Sequence, residues 1–242
     1  MSLRLGSSIA RILFQPMEEI LRTILSRSLS SPSKQSLEQS STLITTLLKI
    51  HILLAITIHA LVPPLLPTLV LPILSALIGQ DRFPPTSLLP ILHAYLYYIP
   101  IMAINGITES FITSVATTKD LARQSRAMIL FSLIFLGISW TLLKVLGLAG
   151  EGLVWANCVN LGVRILWSCS FIMTWYKERK ATIGWEWVVP RSETLAAAVG
   201  VGAGVRFVCA RGTGGFINSV GVAGVGGLGL VCCMSLPRYL RS

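Results

Sequence analysis

Charge is scarce in this chain. Lys, Arg, Asp and Glu make up 12% of its 242 residues, and only ten of them are acidic. Soluble domains carry roughly 25% charged residues, so a water-exposed globular surface is excluded. Histidine and cysteine are few, at three and five. No Cys-x-x-Cys and no Cys/His set at metal-ligand spacing occurs, which supports neither a disulfide framework nor a zinc site. Nothing calls for a cofactor. His51 and His59 stand eight apart in one apolar run, not the four that would pair two ligands on a helical face, and read as structural. No signal peptide is recognisable: Arg4, Arg11, Glu18, Glu19, Arg22 and Arg27 interrupt the first 28 residues.

What the chain has in quantity is apolar sequence. Hydrophobic residues make up 53% of it, its mean hydropathy is +0.72, and several runs approach the ~20 residues a membrane-crossing helix needs. The expected fold is all-α, a polytopic membrane bundle with about six to seven transmembrane helices. Spans are expected at 43–62, 86–117, 127–146, 153–175, 194–210 and 214–236. They follow a first helix over 1–28 that Pro16 should kink or break. Pro63-Pro64 should end the 43–62 span, and Pro67 and Pro72 break 65–78 into a short interfacial or re-entrant piece. Pro100 should kink the 86–117 span. Polar loops are expected at 29–42 and 118–125, turns at 79–85 and 147–152, and a charged loop at 176–193, where Trp185 and Trp187 suit interfacial anchoring. Gly200, Gly204 and the 221–229 glycine cluster would permit close helix packing. The whole of 1–242 is expected to form a single bundle.

The formal net charge of +10 does not point to nucleic acid, because the basic residues are dispersed among membrane runs. They suit topology signals and contacts with anionic membrane lipids. Loops after the second, fourth and sixth clear spans hold Lys119, Arg123 and Arg126, then Lys177, Arg179, Lys180 and Arg191, then Arg238 and Arg241; the other side holds Arg82, Lys144 and Arg211. That asymmetry places the richer loops and the C-terminus in the cytosol.

Three polar features lie inside otherwise apolar helices. The run Tyr98–Phe111 ends in Asn-Gly-x-Thr-Glu, so that Asn105 and Glu109 share a helical face with Tyr98. A carboxylate there either faces a protein interior or sits solvated at the membrane interface. In the first helix Arg4, Ser8, Arg11, Gln15, Glu18 and Arg22 form a polar stripe at helical spacing, opposite Ile9, Leu13, Ile20 and Ile24. Such a helix lies flat in the interface or lines a polar cavity. Over 153–175, Asn157, Asn160, Arg164 and Ser168 form a second stripe. An arginine at that depth marks a functional site or anchors helix packing.

The strings Gly6-Ser-Ser-Ile-Ala-Arg-Ile-Leu-Phe-Gln-Pro-Met-Glu-Glu19, Ala103-Ile-Asn-Gly-Ile-Thr-Glu-Ser-Phe111 and Ala156-Asn-Cys-Val-Asn-Leu-Gly-Val-Arg-Ile165 resemble the Rft family, over about residues 3–180. These are eukaryotic endoplasmic-reticulum membrane proteins assigned to translocating dolichol-linked oligosaccharide for protein N-glycosylation. They belong to the multidrug/oligosaccharidyl-lipid/polysaccharide flippase superfamily. The glycine-rich tail is similar only in hydropathy. Family members are roughly twice this length and consist of two helix bundles, and this chain resembles the second. The resemblance therefore implies half of a two-bundle fold, a partner in the missing N-terminal half or an equivalent bundle, and a cavity-lining first helix.

Moving a lipid-linked sugar needs a polar path, since each unlined hydroxyl forfeits a few kcal/mol of hydrogen bonding. On the resemblance, the lining would be Arg11, Gln15, Glu18, Arg22, Asn105, Glu109, Asn157, Asn160 and Arg164. Arg11, Arg22 and Arg164 would pair with the diphosphate, which guanidinium binds bidentately. Glu18 or Glu109 would balance those charges or exchange protons. Two rival functions are a membrane scaffold that supports lipid-linked oligosaccharide assembly without transport, and an intramembrane glycosyltransferase or hydrolase. The latter needs converging carboxylates or a metal loop, and the luminal loops offer only Asp81 and Glu151.

Overall fold

The computed structural model describes residues 2–67, 72–73, 85–190, 192–210, 221 and 226; the side chains of 2–14, 85–88, 187 and 208–210 stand outside that description. The described residues are helical, with six long helices: α1 (Ser2–Leu29), α2 (Lys34–Leu65), α3 (Pro85–Val115), α4 (Thr118–Trp140), α5 (Gly150–Glu178) and α6 (Ser192–Ala210). A π-helical turn, Thr141–Val145, extends α4, and a short 3-10 turn, Trp185–Trp187, precedes α6. Among the described residues, the segments Lys34–Leu65, Leu89–Val115, Thr118–Val145 and Gly150–Glu178 are long and apolar enough to cross a membrane. The architecture is a helical membrane bundle. The expected segments 65–78, 79–85 and 214–236 lie almost wholly outside the described residues.

Several helices begin earlier than hydropathy suggests, because capping groups and not apolar runs set their ends. The expected loop 29–42 shrinks to about four residues. Ser33 starts α2, its hydroxyl accepting a hydrogen bond from the Ser36 amide at 3.1 Å while its carbonyl accepts from the Leu37 amide at 3.0 Å. The expected loop 118–125 is helical. Thr117 and Asp120 close a capping box in which the Thr117 hydroxyl accepts from the Asp120 amide (3.3 Å) and the Asp120 carboxylate accepts from the Thr117 amide (2.9 Å). Pro16 does not break α1. Pro63 and Pro64 lie inside the last turn of α2, which ends one residue beyond them. The helix α3 runs unbroken through Pro100. The 147–152 turn is shorter than expected: Gly147 takes φ +65°, a left-handed conformation that suits glycine, and α5 begins at Gly150.

The chain groups into two compact units, Met1–His51 with Tyr98–Val189, and Ile52–Tyr97 with Pro190–Ser242, so that the division falls within α2 and α3. In the first unit, Leu21, Leu25 and Leu29 of α1, Ile44 and Leu48 of α2, Ile107, Phe111 and Ile112 of α3, and Leu161, Ile172, Trp175 and Tyr176 of α5 are buried. Phe111 is the hub of this core. It meets Trp175 edge-on at 5.2 Å and stacks with Tyr176 at 5.6 Å. The Tyr176 hydroxyl is satisfied by Ser40 at 2.7 Å, and Ser41 donates to the Thr182 carbonyl at 3.4 Å. The polar start of α2 is therefore a packing surface. Ile20 and Ile24, on the expected apolar stripe of α1, are exposed; the stripe that packs inward is Leu21–Leu25–Leu29.

In the second unit Ala94, Ala198 and Val205 are buried. His59 packs its ring on Tyr97 at 4.3 Å and turns Nδ1 to the Ala55 carbonyl at 2.7 Å; in the first unit His51 likewise turns Nδ1 to the Leu47 carbonyl at 2.8 Å. These are contacts with each ring's own helix. Close packing in the second unit uses Gly226 of the expected cluster and, outside the expectation, Gly202. A side chain at Gly200, Gly204 or Gly221 would meet nothing within 4 Å, whereas one at Gly202 would stand 3.1 Å from the Ala60 carbonyl oxygen, and one at Gly226 2.8 Å from Val201.

Candidate functional site

The polar features of the sequence converge on the contact of α1, α3 and α5. Glu109 on α3 and Arg164 on α5 form an ion pair across 55 residues of sequence. Arg164 donates to Glu109 Oε1 from both Nε, at 3.1 Å, and Nη2. The side chains keep 28% (Arg164) and 22% (Glu109) of their exposure, so the pair is neither sealed nor solvated. Asn105, one turn before Glu109, donates from Nδ2 to Glu109 Oε2 at 3.1 Å. Both carboxylate oxygens are thereby engaged, one by a cation and one by an amide. The Asn105 Oδ1 atom and the Ser168 hydroxyl, one turn beyond Arg164, are buried without a hydrogen-bond partner among the described residues. They are acceptor and donor capacity left unused beside the pair.

The third contributor is α1. Its backbone is clasped by α3: Ser110 donates to the Glu18 carbonyl at 3.4 Å and Ser114 to the Arg22 carbonyl at 3.1 Å. One turn before Ser110 on α3, the Glu18 side chain lies against the backbone of Gly106. A β-carbon at Gly106 would fall 1.9 Å from Glu18 Oε1. Gly106 thus makes the seat for a second carboxylate, which feels the like charge of Glu109 and the opposite charge of Arg22. Sequence reasoning singled out Asn105 and Glu109 and missed the glycine between them. The available signal was a glycine inside a helix, a position that costs about 1 kcal/mol unless close packing uses it.

Other expected site residues are placed differently. Gln15 donates to Glu19 Oε1 at 3.2 Å along the exposed side of α1, and Arg22 is exposed. Asn157 and Asn160 are half-buried on the α5 face that carries Arg164. The Arg11 side chain lies outside the described residues. The structure therefore brings together Glu18, Asn105, Glu109 and Arg164, and leaves Gln15 and Arg22 at the margin.

Against known proteins, one family model, described as Rft protein, matches residues 1–236. The chain belongs to the Rft family. Its similar relatives are named Man(5)GlcNAc(2)-PP-dolichol translocation protein RFT1. One from Yarrowia lipolytica is 38% identical over 182 residues, covering 74% of this chain and 27% of the relative. One from Saccharomyces cerevisiae is 38% identical over 173 residues, covering 72% and 29%. One from Mus musculus is 29% identical over 180 residues, covering 72% and 32%. The chain thus spans about a third or less of the length of the curated relatives it matches. No solved structure matches it. In this Rft chain the three strings that carried the resemblance meet in space: one lies on α1, one surrounds Gly106 and Glu109, and one includes Arg164.

Proposed function

We propose that this chain forms part of an Rft protein that moves a dolichol-diphosphate-linked oligosaccharide across the endoplasmic-reticulum membrane for N-glycosylation. The Asn105–Glu109–Arg164 cluster is part of the polar lining of its path. The observation that carries the reading is the ion pair between two helices of membrane-crossing length, partly exposed and flanked by unused polar atoms. Charged groups at such places are rare and mark substrate paths. Arg164, with Arg11 and Arg22 further along α1, would exchange its carboxylate for substrate phosphate, while Glu18, Gln15, Asn157 and Asn160 extend the lining. The remaining length of the relatives would supply the other bundle that closes the path. The protein would cross the membrane several times with a cytosolic C-terminus, and no nucleic acid or catalytic step enters this reading.

A second reading, a non-transporting support for lipid-linked oligosaccharide assembly, is favoured by one fact: Arg164 already has a full partner in Glu109. Liposomes containing a full-length Rft protein separate the two. Under the transport reading a fluorescent lipid-linked oligosaccharide is exchanged between leaflets, and Arg164→Gln and Glu109→Gln slow the exchange per molecule of incorporated protein. Exchange equal to protein-free liposomes removes the transport reading and leaves the support reading.

A further inference from the structure

At the far end of the first unit, away from the ion pair along α5, a cleft of about 240 Å³ opens between the ends of α3, α4 and α5. Its walls are of two kinds. One is an aromatic ladder on α5, where Trp167 stacks on Phe171 at 6.0 Å and Trp175 carries the Arg179 guanidinium 3.8 Å above its ring. The other is polar: the hydroxyls of Ser170 and Thr174, and Arg123 from the first turns of α4. Trp167, Ser170, Phe171 and Thr174 recur at helical spacing and so present one face.

The two arginines are in different states. Arg179 is held in place, with Nη1 donating to the Trp175 carbonyl at 2.9 Å and standing 3.7 Å from Glu178 Oε2. Arg123 is exposed and makes no hydrogen bond among the described residues. Two acids also line the cleft: Asp120, whose carboxylate accepts from the Thr117 amide and hydroxyl, and Glu178 beside Arg179. The positive excess of this end comes from the neighbouring Lys119, Arg126, Lys177 and Lys180. On the helices that line the cleft, Leu121, Leu166 and Met173 are exposed. Exposed apolar side chains on the same helices, an aromatic wall, two guanidiniums and a surrounding excess of cations together suit an amphiphile that is anionic at one end.

We propose that this cleft binds the phosphate-bearing headgroup of a membrane lipid. Arg123 and Arg179 engage the phosphate, Ser170 and Thr174 take adjoining hydroxyls, and the start of the chain lies along Trp167 and Phe171. A phosphomonoester or diphosphate satisfies this set, whereas a zwitterionic choline headgroup brings a cation against Arg123. The phosphate has two sources, an anionic phospholipid and an isoprenoid diphosphate. The site stands whether or not the chain takes part in transport.

The test is native mass spectrometry of the whole chain in detergent, with short-chain phosphatidic acid, polyprenyl diphosphate, phosphatidylcholine or inorganic pyrophosphate added at equal concentration. One phosphate-terminated lipid per chain is expected, with phosphatidylcholine and pyrophosphate at background. Arg123→Gln should lower occupancy by about tenfold, the loss of one charge-assisted phosphate contact, and Arg126→Gln should leave it unchanged. Arg123 makes no hydrogen bond among the described residues, so its variant remains informative where Arg179→Gln disrupts the Trp175 contact. Preference for polyprenyl diphosphate assigns the cleft to an isoprenoid ligand, and preference for phosphatidic acid to the bilayer; either supports the site. Equal binding of phosphatidylcholine, equal binding of free pyrophosphate, or an equal loss in Arg126→Gln overturns it.

Discussion

Arg164 shows how much a single charge commits the residues around it. Its guanidinium is placed by Glu109, and Glu109 by Asn105, so removing the cation leaves a half-buried carboxylate with one amide. Breaking a fully buried pair costs about 3–5 kcal/mol. With more than a fifth of each side chain exposed, a figure near 2 kcal/mol is expected for Arg164→Gln, read as a lower midpoint in denaturing-detergent titration and lower steady-state abundance. Adding Glu109→Gln should recover most of the loss, because two amides can pair where one anion could not; no recovery would mean that the pair does not hold α3 to α5. Arg164→Lys should recover only part, since an ammonium cannot reproduce the contact made through Nε and Nη2. The intrahelical half of this cluster was legible in sequence, because Asn105 and Glu109 are four apart and four is one turn. The other half was not: three arginines were candidates for a phosphate, and only the packing of α3 on α5 decides which of them has a carboxylate at hand.

Helix ends in this chain follow hydrogen bonds more closely than hydropathy. An apolar run marks what lipid can cover, while the helix continues for as long as its first amides have acceptors. The Thr117/Asp120 box and Ser33 supply them, so α4 and α2 extend into stretches whose composition reads as loop. Both signals, Thr-x-x-Asp and a serine before the helix, stand in the sequence, and polar composition outweighed them. Thr117→Ala should therefore cost about 1 kcal/mol and show as faster amide exchange at 118–121 while the rest of α4 stays protected. The α1–α3 contact yields a sharper test. Because a β-carbon at Gly106 would collide with the end of the Glu18 side chain and not with backbone, Gly106→Ala should lower the melting temperature and Glu18→Ala should relieve it. The double variant should melt above Gly106→Ala alone. Strictly additive losses would mean that Glu18 does not sit over Gly106. Nothing in the spacing of α1 could foretell this contact, since Gln15, Glu18 and Arg22 look equivalent on the stripe and only Glu18 is met by a glycine.

For the molecule as a whole, the distribution of cations makes the decisive prediction. Lys119, Arg123, Arg126, Lys177, Arg179, Lys180, Arg191, Arg238 and Arg241 fall on one set of expected loops, and Arg82, Lys144 and Arg211 on the other. Basic residues near span ends are retained on the cytosolic side. In the fold, the ends of α3, α4 and α5 that meet around Thr117 and Arg179 carry Lys119, Arg123, Arg126, Lys177, Arg179 and Lys180, while the turn at Gly147 between α4 and α5 carries Lys144. The two sides are thus opposite ends of the same helices, and the phosphate cleft lies at the rich one. If that end is cytosolic, an N-glycosylation acceptor engineered at residue 150 should be modified in the endoplasmic reticulum and one at 122 should not, read as a shift in gel mobility that glycosidase reverses. The reverse pattern would invert the topology and move the cleft to the lumen. Modification at both sites would mean that the chain inserts in two orientations when its relatives' remaining length is not present to fix one. In that case complementation of cells lacking their own Rft protein should fail with this chain alone and succeed only when that length is restored.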